Sequence, residues 1–206
     1  TPDRAPRPPP RGFPQFNFTD VLAYFAAAQV TAAAPVAPPF PSIAAPPLET
    51  SMPFTQHQAS ISELKALFAT LSPPDAALRH GSFRASFIGP AWLRLSGRPS
   101  VALSGLPGWQ GKRFLNADEA TNVLKTGNSL RQALAMRITP GPSQVDGRPG
   151  LALHYVAQNG VPAPFPWRFV RDELRALDAD TLLGMTVVDL PVLRHLAFPF
   201  LLEREA

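Results

Sequence analysis

The sequence predicts a mainly β protein: an antiparallel barrel preceded by a short amphipathic helix and a long, extended, Pro-rich N-terminal arm. Three observations carry this. From Gly81 onward the apolar residues recur with period two, the repeat of a strand with one buried face. Turn signals at Ser96-Gly97, Gly127-Asn128, Asp146-Gly147 and Asn159-Gly160 divide that stretch into short, evenly spaced pieces. Finally, half of the 26 prolines in this chain of 206 residues fall before Ser60. The division expected is an arm over residues 1–59 and a barrel over residues 60–206.

The arm opens Arg- and Pro-rich, as extended polyproline II through Pro14. Thr19 then caps a short helix over about residues 19–34, supported by Asp20 at its positive end and by a run of alanines. Pro35 ends it. Gln29, Thr31, Pro35, Pro38 and Pro39 interrupt the apolar stretch from Val21 to Phe40, and crossing a bilayer takes roughly 20 unbroken residues. No transmembrane span is predicted. The remainder to Pro53 carries Val36, Phe40, Ile43 and Leu48 with few charges, unlike a solvated linker. It reads as a strap lying on an apolar surface.

The barrel region begins with a capping box, Ser60-Ile-Ser-Glu63, followed by Ile61, Leu64, Leu67, Phe68 and Leu71 at helical spacing. This helix is expected to lid one end of the barrel, buried through those five residues. Pro73 and Pro74 stop it, and Asp75 caps one further turn that Gly81 closes. Strands are expected near Ser82–Ile88, Trp92–Ser96, Ser100–Ser104, Trp109–Leu115, Ala120–Lys125, Gln132–Ile138, Leu151–Val156, Trp167–Arg175, Thr181–Val188 and Phe200–Glu203. No long helix is expected among them.

Composition removes several function classes. There is no cysteine, so no disulfide framework, thiolate nucleophile or zinc–thiolate site exists. The net charge of +4 is spread over Arg79, Arg84, Arg94, Arg98, Lys112, Arg113, Arg131 and Arg137 rather than packed into one run, which is not the footprint of a nucleic-acid binder. His57, His80, His154 and His195 stand apart from one another and from metal-ligand spacing. Gly105-Leu-Pro-Gly108-Trp-Gln-Gly111 lacks the strand-then-helix context of a phosphate loop. Asp172 and Glu173 are adjacent, so on a strand they diverge and cannot flank one bond; they read as lateral salt bridges with Arg168, Arg171 and Arg175. No catalytic residue, metal or cofactor is nominated.

Three groups of residues remain as candidates. Lys112 and Arg113 face opposite sides of one strand; an inward cation can hold an anionic headgroup, while the plainer account is a solvent charge. Trp109, Trp167 and His154 are the side chains placed to meet a ligand in a barrel, with core packing as the plainer account. In the arm, Phe13, Phe16, Phe18, Leu22, Phe25 and Phe40 are anchors for a partner protein, and Arg4, Arg7 and Arg11 are expected to meet acidic groups or lipid headgroups.

The segment Leu67-Phe-Ala-Thr-Leu-Ser-Pro-Pro-Asp75, with Gly81-x-Phe83-x-Ala85 after it, resembles the start of the bacterial GXWXG-type lipocalin-like domains. Gly111-Lys112-Arg113-Phe114 is similar to that family's Gly-Lys-x-Phe, and Asp172 to Gly184 to its closing strand pair. The signature itself departs, with Phe83 for Trp and Ala85 for Gly. Pro166-Trp167, Asp172-Glu-Leu-Arg and Gly184-Met-Thr-Val-Val more loosely resemble plastid lipid-associated (fibrillin-like) proteins. Both likenesses imply a lipocalin-like, calycin-type barrel and a lipophilic or unknown ligand.

The function expected is therefore a non-enzymatic accessory subunit, bound through its arm to other protein subunits of a larger membrane-associated assembly, which the looser likeness makes photosynthetic. Its place is peripheral to that membrane. The alternatives are a carrier of a small lipophilic molecule and a barrel-type isomerase or cyclase. A filled barrel favours the first, an apolar cavity the second, and a cavity holding a perturbed ionisable group the third.

Overall fold

The computed structural model describes residues 58–190, 193 and 196–205. Eight antiparallel strands close into a barrel, each pairing with its sequence neighbours: β1 (Gly81–Phe87), β2 (Trp109–Phe114), β3 (Glu119–Thr126), β4 (Ser129–Pro142), β5 (Pro149–Tyr155), β6 (Val170–Ala176), β7 (Thr181–Val188) and β8 (Ala197–Arg204). Pairing of β1 with β8, from Phe83 opposite Arg204 to Phe87 opposite Phe200, closes the ring. Helix α1 (Ile61–Thr70) precedes the barrel, and helix α2 (Ala91–Leu103) joins β1 to β2. The barrel and its hairpins follow the period-two pattern as expected. The arm, with its expected helix and its anchor residues, lies outside the described residues.

Helix α2 corrects the sequence reading, which placed two strands, Trp92–Ser96 and Ser100–Ser104, where one helix stands. Gly97 and Pro99 look like breakers, but tertiary context overrides them. The chain must cross the barrel's end from β1 to β2, and Leu93, Gly97 and Val101, spaced by four, put small and apolar groups on the barrel side. Gly97 is buried because the Phe87 ring occupies its side-chain space; a Cβ there would lie 2.5 Å from that ring. The hydroxyls of Ser96, Ser100 and Ser104 each donate to the carbonyl four residues back, at 2.5, 2.7 and 2.7 Å. Three polar groups on the helix are thereby satisfied internally. Pro99 and Leu95 are both exposed, so the helix bond that Pro99 cannot donate is lost on the solvent side.

Helix α1 forms as read, with Ser60 Oγ accepting from Glu63 N at 3.2 Å and Glu63 Oε2 accepting from Ser60 N at 2.7 Å. Asp75 Oδ1 likewise caps the next turn at Leu78 N, 2.9 Å away. The position of α1 differs from the expectation. It lies on the outer wall of β7 and β8, where Leu64 and Phe68 are buried against Ile88, Leu183, Met185, Val187, Ala197 and Leu201. The reason is strand parity. Leu183, Met185 and Val187 point out of the barrel and need an apolar cover. Leu67 and Leu71 pack at the edge of this cluster, and Ile61 is only half-buried.

Inside, the two halves of the barrel differ. The half where β1 begins is filled by Phe83, Phe114, Ala120, Ile138, Leu151, Leu153, Leu174, Leu182 and Leu202. Phe83 and Phe114 meet edge to face there, with centroids 5.3 Å apart. The half beneath α2 is not filled.

Phe68 supplies the largest apolar contact of α1, and the Arg175 guanidinium stacks on its outer face at 5.0 Å. Phe68→Ala is expected to cost about 3–5 kcal/mol in urea unfolding. A loss below about 1 kcal/mol would mean that α1 is not part of the cooperative unit.

Candidate functional site

Three pairs of directly opposed residues build a polar belt across the middle of the barrel. Lys112 on β2 faces Asn122 on β3, Met136 on β4 faces Tyr155 on β5, and Asp172 on β6 faces Thr186 on β7. Opposed residues share a face, so all six project inward together. Lys112 and Asp172 meet across the lumen as an ion pair of 2.8 Å, both almost wholly buried.

The remaining bonds knit the belt around that pair. Lys112 Nζ donates to Asn122 Oδ1 and Tyr155 OH, each at 3.3 Å, and approaches Met136 Sδ at 3.4 Å. Thr186 Oγ1 donates to Asp172 Oδ1 at 2.6 Å, and Tyr155 OH to Asp172 Oδ2 at 3.4 Å. Trp109 Nε1 donates to Asn122 Oδ1 at 3.0 Å. The ammonium also lies 5.9 Å from the Trp109 ring and 5.5 Å from the Tyr155 ring, within reach of their π faces. Of the belt's side-chain polar atoms, Asn122 Nδ2 alone has no hydrogen-bond partner.

Above the belt is a cavity of about 110 Å³, counted as room for the centres of water-sized spheres. One water needs roughly 10–15 Å³ on that measure, so the space suits a compact molecule. Lys112, Asn122, Asp172 and Thr186 form its floor, Phe87, Trp109, Val170, Val188, Phe198 and Phe200 its walls, and Leu93, Gly97, Ser100, Val101 and Ser104 of α2 its roof. Trp167, in a 3-10 turn (Trp167–Phe169), ties roof to wall by donating Nε1–H to the Ser104 carbonyl at 2.7 Å. Ser104, Pro166 and Trp167 also line a second pocket, of about 270 Å³, with Leu103, Leu134 and Phe165.

Of the sequence candidates, Lys112, Trp109 and Trp167 come together at this cavity. Arg113 points outward into solvent, as the alternation of Lys112 and Phe114 inward requires. His154 also points outward. It lies half-buried opposite Arg171, and burial together with the Arg171 charge holds its pKa below the ordinary value. It takes no part in the cavity. The lateral pairing of Arg171 with Glu173 is present at 3.0 Å. Asp172 was expected in such a surface pair, with Arg168; it is instead the interior partner of Lys112. The arm candidates, His57 and His195 lie outside the described residues.

The sequence reading does not single out Asn122, Tyr155 or Thr186, and it takes Asp172 only as a lateral salt-bridge partner. One signal was present for three of them. Asn122 is in phase with Ala120 and Leu124, Tyr155 with Leu151 and Leu153, and Asp172 with Val170 and Leu174, all buried. A polar residue in step with an apolar face points to the core. Among the described residues no group of acidic or histidine side chains is arranged to hold a metal ion, and no helix is long and apolar enough to cross a membrane.

The Tyr155 phenol is pushed well above the usual 10.0, first by burial, then by the Asp172 charge, with the Asn122 amide opposing. The unfolded chain releases this proton near pH 10 while the folded chain keeps it. The resulting stability is complete below about pH 10 and is lost as pH rises through the folded value. Chemical denaturation across the alkaline range is expected to show a steeper fall for the wild type than for Tyr155→Phe. Equal slopes would place the phenol in a solvated environment.

No protein-family model matches the chain, and no curated protein matches it either. It is similar in structure to a protein from Thermomonospora curvata solved by crystallography, with a TM-score of 0.53 and 20% identity, over 72% of this chain and 90% of that one. At that identity the likeness shows a shared fold: the chain is an eight-stranded antiparallel barrel.

Proposed function

We propose that the protein is a carrier, a calycin-like barrel that holds one compact, mainly apolar molecule in its upper half. The observation that supports this most is the contrast between the two halves of the interior. One is packed with side chains, while the other keeps a cavity walled by aromatic and aliphatic groups over a polar floor. Binding sites for small molecules have this composition, mostly apolar with a few placed polar groups.

The floor favours holding over reacting. A carboxylate that abstracts protons needs a free lone pair turned to the substrate. Asp172 spends one oxygen on Thr186 and the other on Lys112 and Tyr155. The high pKa of Tyr155 likewise makes its phenolate a rare species at neutral pH. The isomerase or cyclase reading therefore draws less support than the carrier. The reading as an arm-tethered subunit of a membrane-associated assembly draws on residues outside the described ones; it remains compatible with a ligand-holding barrel.

Val101 faces the cavity from the roof. Titration with butylbenzene, followed calorimetrically, is expected to show saturable binding to the wild type. Val101→Trp fills the cavity and is expected to abolish that binding while leaving a folded barrel by circular dichroism. Undiminished binding to the folded variant would place the ligand elsewhere and defeat the proposal.

A further inference from the structure

We infer that the cavity end of the barrel docks on an anionic lipid surface, with the outer face of α2 lying on the headgroups. This face is separate from the cavity, so the inference goes beyond the carrier reading and does not depend on it. Two observations carry it: the composition of the outward face of α2 and the charge polarity of the barrel.

Helix α2 presents its residues in rows spaced by four. Leu93, Gly97 and Val101 line the cavity. Leu95, Pro99 and Leu103 form a row on the opposite side and are all exposed, Leu95 by 79% and Leu103 by 60%. Arg94 and Arg98 run alongside that row and are exposed as well. Among the described residues, neither arginine is paired with a carboxylate. The solvent face of a helix on a globular protein is normally polar. Leucines flanked by arginines are the pattern of a helix lying in a membrane interface. There the apolar chains enter the acyl boundary while the guanidinium groups stay at the phosphates. The face continues beyond the helix. Leu103 borders the second pocket with Pro164 and Pro166, and exposed Val161 and Arg168 stand on the same connection between β5 and β6.

The charge of the barrel is polarised to match. At the cavity end, the connections 88–108, 127–128 and 156–169 carry Arg94, Arg98 and Arg168 and no carboxylate. Asp189, which opens the connection from β7 to β8, is the one carboxylate among the described residues of that segment. At the other end, the connections 115–118, 143–148 and 177–180 carry Asp118, Asp146, Asp178 and Asp180 against Arg148 alone. An anionic surface therefore attracts the cavity end and repels the opposite one, which orients the molecule before contact. A nucleic acid would also meet the arginines, but it would leave the leucine row in water. A lipid surface engages both rows.

Co-sedimentation of the full chain with vesicles tests this. At low salt, phosphatidylcholine vesicles containing one third phosphatidylglycerol are expected to bind about tenfold more tightly than pure phosphatidylcholine, a preference that high salt reduces. Arg94→Gln with Arg98→Gln is expected to weaken binding about 25-fold, roughly fivefold per charge. Leu95→Ser with Leu103→Ser is expected to weaken it about tenfold. All four side chains are exposed, so both variants are expected to keep the wild-type circular dichroism. Insertion is read separately. The chain has no cysteine, so Leu95→Cys and Asp178→Cys each accept a single polarity-sensitive dye. Anionic vesicles are expected to shift the emission of the label at position 95 to the blue and to leave that at position 178 unchanged.

No preference for anionic vesicles would overturn the inference. Binding that both double variants leave intact, as through the arginines of the arm, would overturn it too, as would a shift at position 178 rather than 95. Binding to duplex DNA that only the arginine pair weakens, with none to vesicles, would make the face a nucleic-acid site and likewise overturn it. Butylbenzene binding tests the carrier reading separately from all of these.

Discussion

The ion pair between Lys112 and Asp172 is the constraint around which the interior of this barrel is arranged. Neither group can be buried alone, because an isolated charge in a low-dielectric core carries a desolvation penalty of several kcal/mol or more. They come from strands on opposite sides of the lumen, so their contact at 2.8 Å requires the barrel to be closed and both strands to hold their register. A slip of one residue on β2 would turn Lys112 outward and send Arg113 in. The bonds from Asn122, Tyr155 and Thr186 saturate the pair further. Together they mark the level at which the packed half ends and the cavity begins.

The roof is the second element that gives the cavity its form. Helix α2 lies close to β1 because Gly97 leaves room for the Phe87 ring, and the same ring then forms part of the cavity wall. The hydroxyls that line the inner face of α2 are turned back onto its own carbonyls, so Ser100 and Ser104 present less polarity to the cavity than their composition suggests. Roof and walls are thus largely apolar, and the polarity of the site is concentrated in the floor. A ligand inserted here is expected to be oriented, polar end down.

Much of the fold was legible in the sequence, because strand alternation and turn residues act locally. The capping box of α1 and the inward face of β2 follow from spacing alone. What escaped depends on tertiary context. Gly97 and Pro99 are breakers in isolation; only the need to cross the barrel end, with Phe87 filling the space over Gly97, makes Ala91–Leu103 a helix. The seat of α1 followed from the outward apolar face of β7, which has to be read together with α1 to be seen. Lys112, Trp109 and Trp167, candidates from the sequence, line the cavity. The sequence reading sets Asp172 with Arg168 as a lateral salt bridge rather than with Val170 and Leu174, its apolar partners in phase. Pairing it with Lys112 also requires knowing which strands face each other across the lumen, which alternation along one strand does not encode.

The central claim, that Lys112 and Asp172 act as one neutral unit inside the barrel, is tested most directly by a double-mutant cycle on unfolding free energy. Lys112→Met and Asp172→Leu each leave a buried charge unpaired and are expected to cost about 3–5 kcal/mol. The double variant removes both charges and is expected to fall within about 1–2 kcal/mol of the wild type, far short of the sum of the two losses. Additive losses would contradict the account, since they would mean that the two charges are solvated independently and that no neutral floor exists.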